Sequence, residues 1–282
     1  MPSPNATFTE MVTTTLRNHS TDVVDNVTDH NALLRLLKQR GNIKKKSGGY
    51  EIVLPLEWAE NSTYQRYSGY DELNVQASDV LSAAKYDWAQ IAMHVTASGR
   101  ELRMNNGPEQ LIDLVKARLK NAKNSAANNM SVDIYSDGAL TNQIGGLSHI
   151  LQTDGLGTVG GISANSYGFW ANQVREMAGT NAWTAATIQG EFNQMWIKCV
   201  RGNDAPDLIV ASHDIFTAFE ASQQELQRYT KSDLADAGFP AMKYKGRDVV
   251  FDNNTNFGTT AERAYFLNTK YLYLMQHPDA QW

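Results

Sequence analysis

Residues 57–74, EWAENSTYQRYSGYDELN, set Trp58, Tyr64, Tyr67 and Tyr70 among charges and a Ser68-Gly69 turn. The stretch is too aromatic for an idle loop and too polar for a core. On its N-terminal side, after the Gly48-Gly49 break, Tyr50 to Glu57 (YEIVLPLE) has the β-branched pattern of a strand. Pro55 within it fits an edge, because proline cannot donate to a ladder. On its C-terminal side, residues 84–97 set Tyr86 and Trp88 on one face and Ile91, Met93 and Val95 on the other, which predicts a second strand. A long hairpin with a broad aromatic tip follows, spanning residues 47–97. Exposed tyrosine and tryptophan suit stacking on a sugar or base, and equally suit a protein interface. The projecting position favours an interface with a neighbouring subunit, formed by Trp58, Tyr64, Tyr67 and Tyr70.

The remainder of the chain supplies a core for this projection. Residues 1 to about 30 are polar, rich in Thr, Asn and Asp, and read as an extended arm. Leu33, Leu34, Leu36 and Leu37 then predict a short amphipathic helix closed by Gly41. Arg35, Lys38, Arg40, Lys44, Lys45 and Lys46 form a basic cluster there, either a solvated face or a contact for DNA or an acidic neighbour. Ser98 and Glu101 fit a capping box. Gly107-Pro108-Glu109-Gln110 opens a longer helix whose stripe of Leu111, Ile112, Leu114, Val115, Leu119 and Ala122 runs toward Asn129. Residues 136–168 are Gly-rich, with loops and brief strands. A second helix, from Trp183 to Val200, sets Ile188, Phe192, Met195, Trp196, Cys199 and Val200 on one face and stops at Gly202. Asp207 to Ala211 (DLIVA) reads as a buried strand, and Ser212 as the cap of a third helix carrying Ile215, Phe216 and Phe219. Strands at Arg247–Phe251, Ala264–Asn268 and Tyr271–Met275 close the chain. The order is that of an α+β protein.

Catalytic chemistry finds little support. The string Gly155-Leu156-Gly157-Thr158-Val159-Gly160 satisfies G-x-G-x-x-G, yet no strand precedes it and no helical pattern follows, so a dinucleotide site is disfavoured. The six histidines show no metal-binding spacing, and Cys199 sits on an apolar helix face, where an inert thiol is expected. Asp133, Asp137 and Asp154 read as surface or turn residues. No catalytic, cofactor or metal residue is assigned. A net charge of −5 excludes a general nucleic-acid footprint, so contact with nucleic acid would be local. One cysteine cannot form an intrachain disulfide. No secretory signal and no apolar run of roughly 20 residues is present, which predicts a protein without membrane contact, made and used in the cytosol or released only when the cell breaks.

The order of these features resembles the tailed-bacteriophage major capsid protein family, the HK97-like fold. GGYEIVLPLEWAENSTYQRYSGYDEL looks like that family's passage from arm to extended loop. NMSVDIYSDG with IGGL, then PDLIVAS, KYKGRDVVFDNN and AYFLNTKYLYL, resemble its later segments. The likeness covers roughly residues 30–276. It implies an N-terminal arm (1–46), an extended loop (47–97), a peripheral domain with a long spine helix (98–133 and 248–282) and an axial domain (134–247). It also implies an icosahedral or prolate virion shell of hexamers and pentamers around double-stranded DNA, assembled in the host cytoplasm with a scaffolding protein, a portal and decoration proteins as partners. Some members of the fold lock their shells through a lysine on the extended loop. This chain has no lysine between Tyr50 and Ala84, which predicts a non-covalent shell. An encapsulin-type compartment shell is the alternative, and a nucleotide-dependent oxidoreductase or a glycan-binding protein a distant third.

Overall fold

The computed structural model describes residues 32–104, 114–176, 183–223, 241–252 and 262–278. The polar segment 1–31 and the Gly107-Pro108 helix start lie outside them. Strand β6 (Leu208–Ala211) occupies the centre, and all four of its residues are buried. It pairs in parallel with β8 (Arg247–Phe251) and antiparallel with β9 (Ala264–Leu267), while β7 (Ala241–Tyr244) borders β8, giving the order β7-β8-β6-β9. A strand covered on both faces needs a continuous apolar run, and LIVA supplies one.

Helices cover the two faces of this sheet. Against one face pack Leu33, Leu36 and Leu37 of α1 (Ala32–Gln39) and Tyr135, just beyond α3 (Leu114–Ile134). Leu147 of α4 (Leu147–Ile150) joins them, meeting Leu208, Val210, Val250 and Leu267. Against the other face lie Ile188 and Phe192 of α5 (Ile188–Cys199) with Ile215 and Phe219 of α6 (His213–Gln223). The described chain is α+β, and the 3.6-residue spacing of its buried helix positions is what the sequence pattern required.

Helix α1 ends as Gly41 dictates. At φ +68° the glycine lets Asn42 N–H reach Leu37 C=O at 2.8 Å, a 6→1 closure. The chain then enters β1 (Ile43–Lys45), which pairs in parallel with β10 (Leu274–Gln276). Arg40 donates to the Asp207 carboxylate and to Thr269 Oγ1. Asp207 also accepts from Thr269 N–H at 2.9 Å and from Thr269 Oγ1 at 2.7 Å. The end of α1, the entry to β6 and the turn after β9 are thereby tied at one carboxylate. Asp207→Ala is expected to lower stability by about 1–2 kcal/mol, because the half-buried carboxylate is the shared acceptor of the Thr269 N–H, the Thr269 hydroxyl and the Arg40 guanidinium. The midpoint of urea unfolding measures it, and an unchanged midpoint would show the tie to be idle.

Several expectations are corrected. The second hairpin strand, expected to reach Ala97, is β3 (Leu81–Tyr86) and stops at Tyr86, opposite Ile52 at the start of β2 (Ile52–Glu57). Gly48 and Gly49, at φ +73° and +99°, turn the partner chain away beyond Ile52, and the chain pairs with β10 instead. Ser212 does not cap α6: its hydroxyl is buried and makes no hydrogen bond. Leu119, expected on the buried stripe of the long helix, is exposed, whereas Met130 and Ser131 near its end are buried. The last strand begins at Leu274, since Asn268 to Tyr271 form a turn. The Ser98 and Glu101 capping box is present, with Ser98 N–H donating to Glu101 Oε2 at 3.0 Å and Glu101 N–H to Ser98 Oγ at 3.2 Å. It opens α2 (Gly99–Met104), and Arg118 of α3 donates to the same Glu101 at 3.1 Å, holding that carboxyl below its usual range.

Candidate subunit interface

Strands β2 and β3 pair along their whole length, from Ile52 with Tyr86 to Glu57 with Leu81. Trp58 N–H continues the ladder by donating to Val80 C=O at 3.0 Å. Beyond it the loop is shaped by its own polar groups. Asn61 Oδ1 accepts from Thr63 N–H at 2.9 Å, Ser62 and Ser78 meet at 3.2 Å across the base, and Asp71 accepts from Ser68 N–H at 2.7 Å. These bonds order the backbone without burying the rings. Tyr64, Tyr67 and Tyr70 are 80%, 67% and 105% exposed, and Val75 and Leu81 beside them are exposed too. Isolated apolar residues on a surface need no explanation, whereas three exposed tyrosines on one polar-braced projection make it a candidate for an interaction surface.

Trp58 behaves differently from the three tyrosines. It is half-buried, with its ring 6.1 Å from both Tyr167 and Phe169. Phe169 in turn lies 6.2 Å from Trp170, whose indole donates to Val159 C=O at 3.0 Å. Trp58 therefore anchors the hairpin base, and the tip proper consists of the tyrosines. Sequence reasoning missed Tyr167, Phe169 and Trp170 as that anchor, although the dense string SYGFW after a glycine pair was a usable signal.

The G-x-G-x-x-G string has a structural part here. Thr158–Val159 (β4) and Ile162–Ser163 (β5) form a small antiparallel hairpin turning at Gly160-Gly161, with φ +60° and +77°. Gly160 C=O accepts from Lys85 N–H of β3 at 2.9 Å, so the turn docks on the outer side of β3. No α-helix starts within the string or directly after it to present its N-terminus to a pyrophosphate. A Cβ at Gly160 would stand 2.9 Å from Ala84 Cβ. Gly160→Val should therefore lower stability by about 2 kcal/mol, from left-handed backbone strain together with the clash. Denaturant titration reads this, and a neutral result would mean that the turn is free of β3.

Arg40 and Lys44 of the basic cluster are engaged within the chain. Arg40 turns to Asp207 and Thr269, and Lys44 lies over the Tyr273 ring at 3.8 Å. Arg35, Lys38 and Lys45 are exposed and Lys46 is half-buried. Burial pushes the Cys199 thiol up, away from the reactive thiolate. Among the described residues no group of three His, Cys, Asp or Glu is placed to hold a metal ion, and no helix is long and apolar enough to cross a membrane.

No protein-family model matches the sequence, and no curated protein matches it. Among solved structures, the chain is similar to the capsid asymmetric unit of cyanophage A-1(L), with a TM-score of 0.52 and 16% sequence identity. The superposition covers 84% of this chain and 71% of that one. At this identity the likeness is one of fold: the chain has a capsid-like α+β fold.

Proposed function

We propose that the chain is the major capsid protein of a tailed bacteriophage, with the HK97-like fold, and that it assembles into a closed shell around double-stranded DNA. The exposed tyrosine tip of a polar-braced hairpin is the observation that carries this reading. A soluble monomer gains nothing from three such rings in water, whereas a subunit repeated many times gains a contact with each neighbour. The capsid-like fold supports the same reading. In it, residues 47–97 are the extended loop, 98–133 and 248–282 the peripheral domain, and 134–247 the axial domain. Residues 1–46 are the arm, and its α1 is anchored in the core. The subunits form hexamers and pentamers, with scaffolding and portal proteins as partners in the host cytoplasm and decoration proteins on the finished shell. Exposed Lys38 and Lys45 are the groups available to acidic partners or DNA.

Negative-stain microscopy of the purified chain, alone and with a scaffolding protein encoded beside it, tests the reading. Closed particles are expected, and a chain that stays monomeric in both preparations rules it out. Nucleic acid inside native particles is expected, and protein cargo in its place would indicate a compartment shell. Because the extended loop has no lysine between Tyr50 and Ala84, mature particles boiled in detergent should run as a single band near 31.3 kDa. A ladder of covalent oligomers would refute the non-covalent shell.

A further inference from the structure

Strand β9 is an edge of the central sheet, and its free side opens into a cleft. Ser212 N–H donates to Arg263 C=O at 3.1 Å, which makes Ser212 and Arg263 a hydrogen-bonded pair of the antiparallel ladder. Bonded pairs alternate, so Tyr265 and Leu267 also turn their backbone groups toward β6, and Ala264 and Phe266 turn theirs away. Neither Ala264 nor Phe266 has a backbone partner on that outer side among the described residues. The cleft, of about 720 Å³, is lined by Ala264, Tyr265 and Phe266 together with Phe192, Met195 and Cys199 of α5. Tyr265 belongs to one face of the sheet and Phe266 to the other, so the cleft follows the strand edge itself. A groove beside unpaired ladder groups has the form that accepts an added strand.

The same chain carries a segment with the complementary need. Residues 89–95 have alternating strand character, yet lie beyond the point where Gly48-Gly49 turn the partner strand away. They make no backbone hydrogen bond among the described residues. Ile91, Met93 and Val95, which share one side of such a strand, are 57%, 41% and 40% exposed. Seven residues of strand extend about 23 Å, enough to run the length of the four-residue β9 and its flanks. Within one copy this segment adjoins the hairpin and is held at its end by Arg118, which donates to Thr96 C=O at 2.7 Å.

We infer that residues 89–95 of one copy add as a strand to the outer edge of β9 in a second copy. The main-chain groups of Ala264 and Phe266 gain partners, and Ile91, Met93 and Val95 lie against the half-buried Met195, Cys199 and Phe266. The contact is heterologous, since donor and acceptor are different surfaces, and such contacts propagate from copy to copy. It rests on the self-assembly reading and adds to it a second joint, separate from the tyrosine tip.

Cys199, the chain's one cysteine, lines the cleft and provides the test. In particles of Met93→Cys treated with a bis-maleimide, covalent dimers are expected on a denaturing gel, and they should vanish when Cys199→Ser is added. Particles that form and give no such dimer overturn the inference while leaving self-assembly intact. Where no particles form, a synthetic peptide of residues 87–97 is added to the wild-type chain and amide hydrogen exchange is followed. Slower exchange at Ala264 and Phe266 upholds the edge site even with self-assembly refuted, and unchanged exchange at both overturns it.

Discussion

A chain in which Tyr64, Tyr67 and Tyr70 are all replaced by serine will fold as the parent does and form no particles. None of the three rings is buried in the chain, so the folded state loses almost nothing. The bonds that shape the loop involve Asn61, Ser62, Thr63, Ser68, Asp71 and Ser78, which the replacement leaves in place. The melting temperature should therefore stay within about 2 °C of the parent's, the range expected of surface changes. Assembly is another matter. A tyrosine at the centre of an interface typically contributes about 1–2 kcal/mol, so about 3–6 kcal/mol is lost from each tip contact. That shifts the concentration needed for assembly upward by roughly 10²–10⁴-fold, beyond reach in ordinary preparations. Sedimentation velocity beside a thermal melt measures both quantities at once. Normal particles from the triple variant would remove the tip from the interface, and a large loss of melting temperature would place the rings in the fold.

Trp58 shows why the sequence could not separate these roles. By composition it belongs with the three tyrosines, and only the arrival of Tyr167 and Phe169 from about 110 residues away sets it apart as the base anchor. Such pairings depend on tertiary approach, which local pattern does not encode. The same reason governs Arg40, whose place in a basic run says nothing of Asp207 or Thr269. Elements whose cause is local were legible. The LIVA strand, the leucines of α1, the Gly41 terminus and the Ser98–Glu101 box all lie where their own residues demand. Strand β3 marks the boundary between the two cases. Alternation continues past Tyr86, but a strand also needs a partner, and Gly48-Gly49 remove it. Strand β7 was missed for the converse reason, because its turn at Lys245-Gly246, with φ +48° and +79°, is a short signal in a weakly patterned stretch.

Phe192→Ala is expected to have the opposite profile to the tyrosine variant. The Phe192 side chain is almost wholly buried on α5, with ring centroids 5.2 Å from Phe219, 5.6 Å from Tyr244 and 5.2 Å from Phe266. It joins two helices to two strands of the central sheet. Truncation removes the transfer free energy of a phenyl ring and leaves a cavity that three stiff aromatic neighbours cannot fill, a loss of about 3–5 kcal/mol. Against a total stability of roughly 5–15 kcal/mol, this leaves a chain that is marginal at 37 °C. Its urea midpoint should fall steeply while the slope stays near the parent's, since the surface exposed on unfolding changes little. A loss below about 1 kcal/mol would mean that α5 does not pack on the sheet as described. Phe266 lies on β9, so loosening this cluster also loosens the edge to which residues 89–95 are inferred to add. At low temperature, where the variant stays folded, its tyrosine tip is intact and its β9 edge is not. Particles that form yet come apart more readily than the parent's would follow from that difference, whereas the tyrosine variant should form none at any temperature.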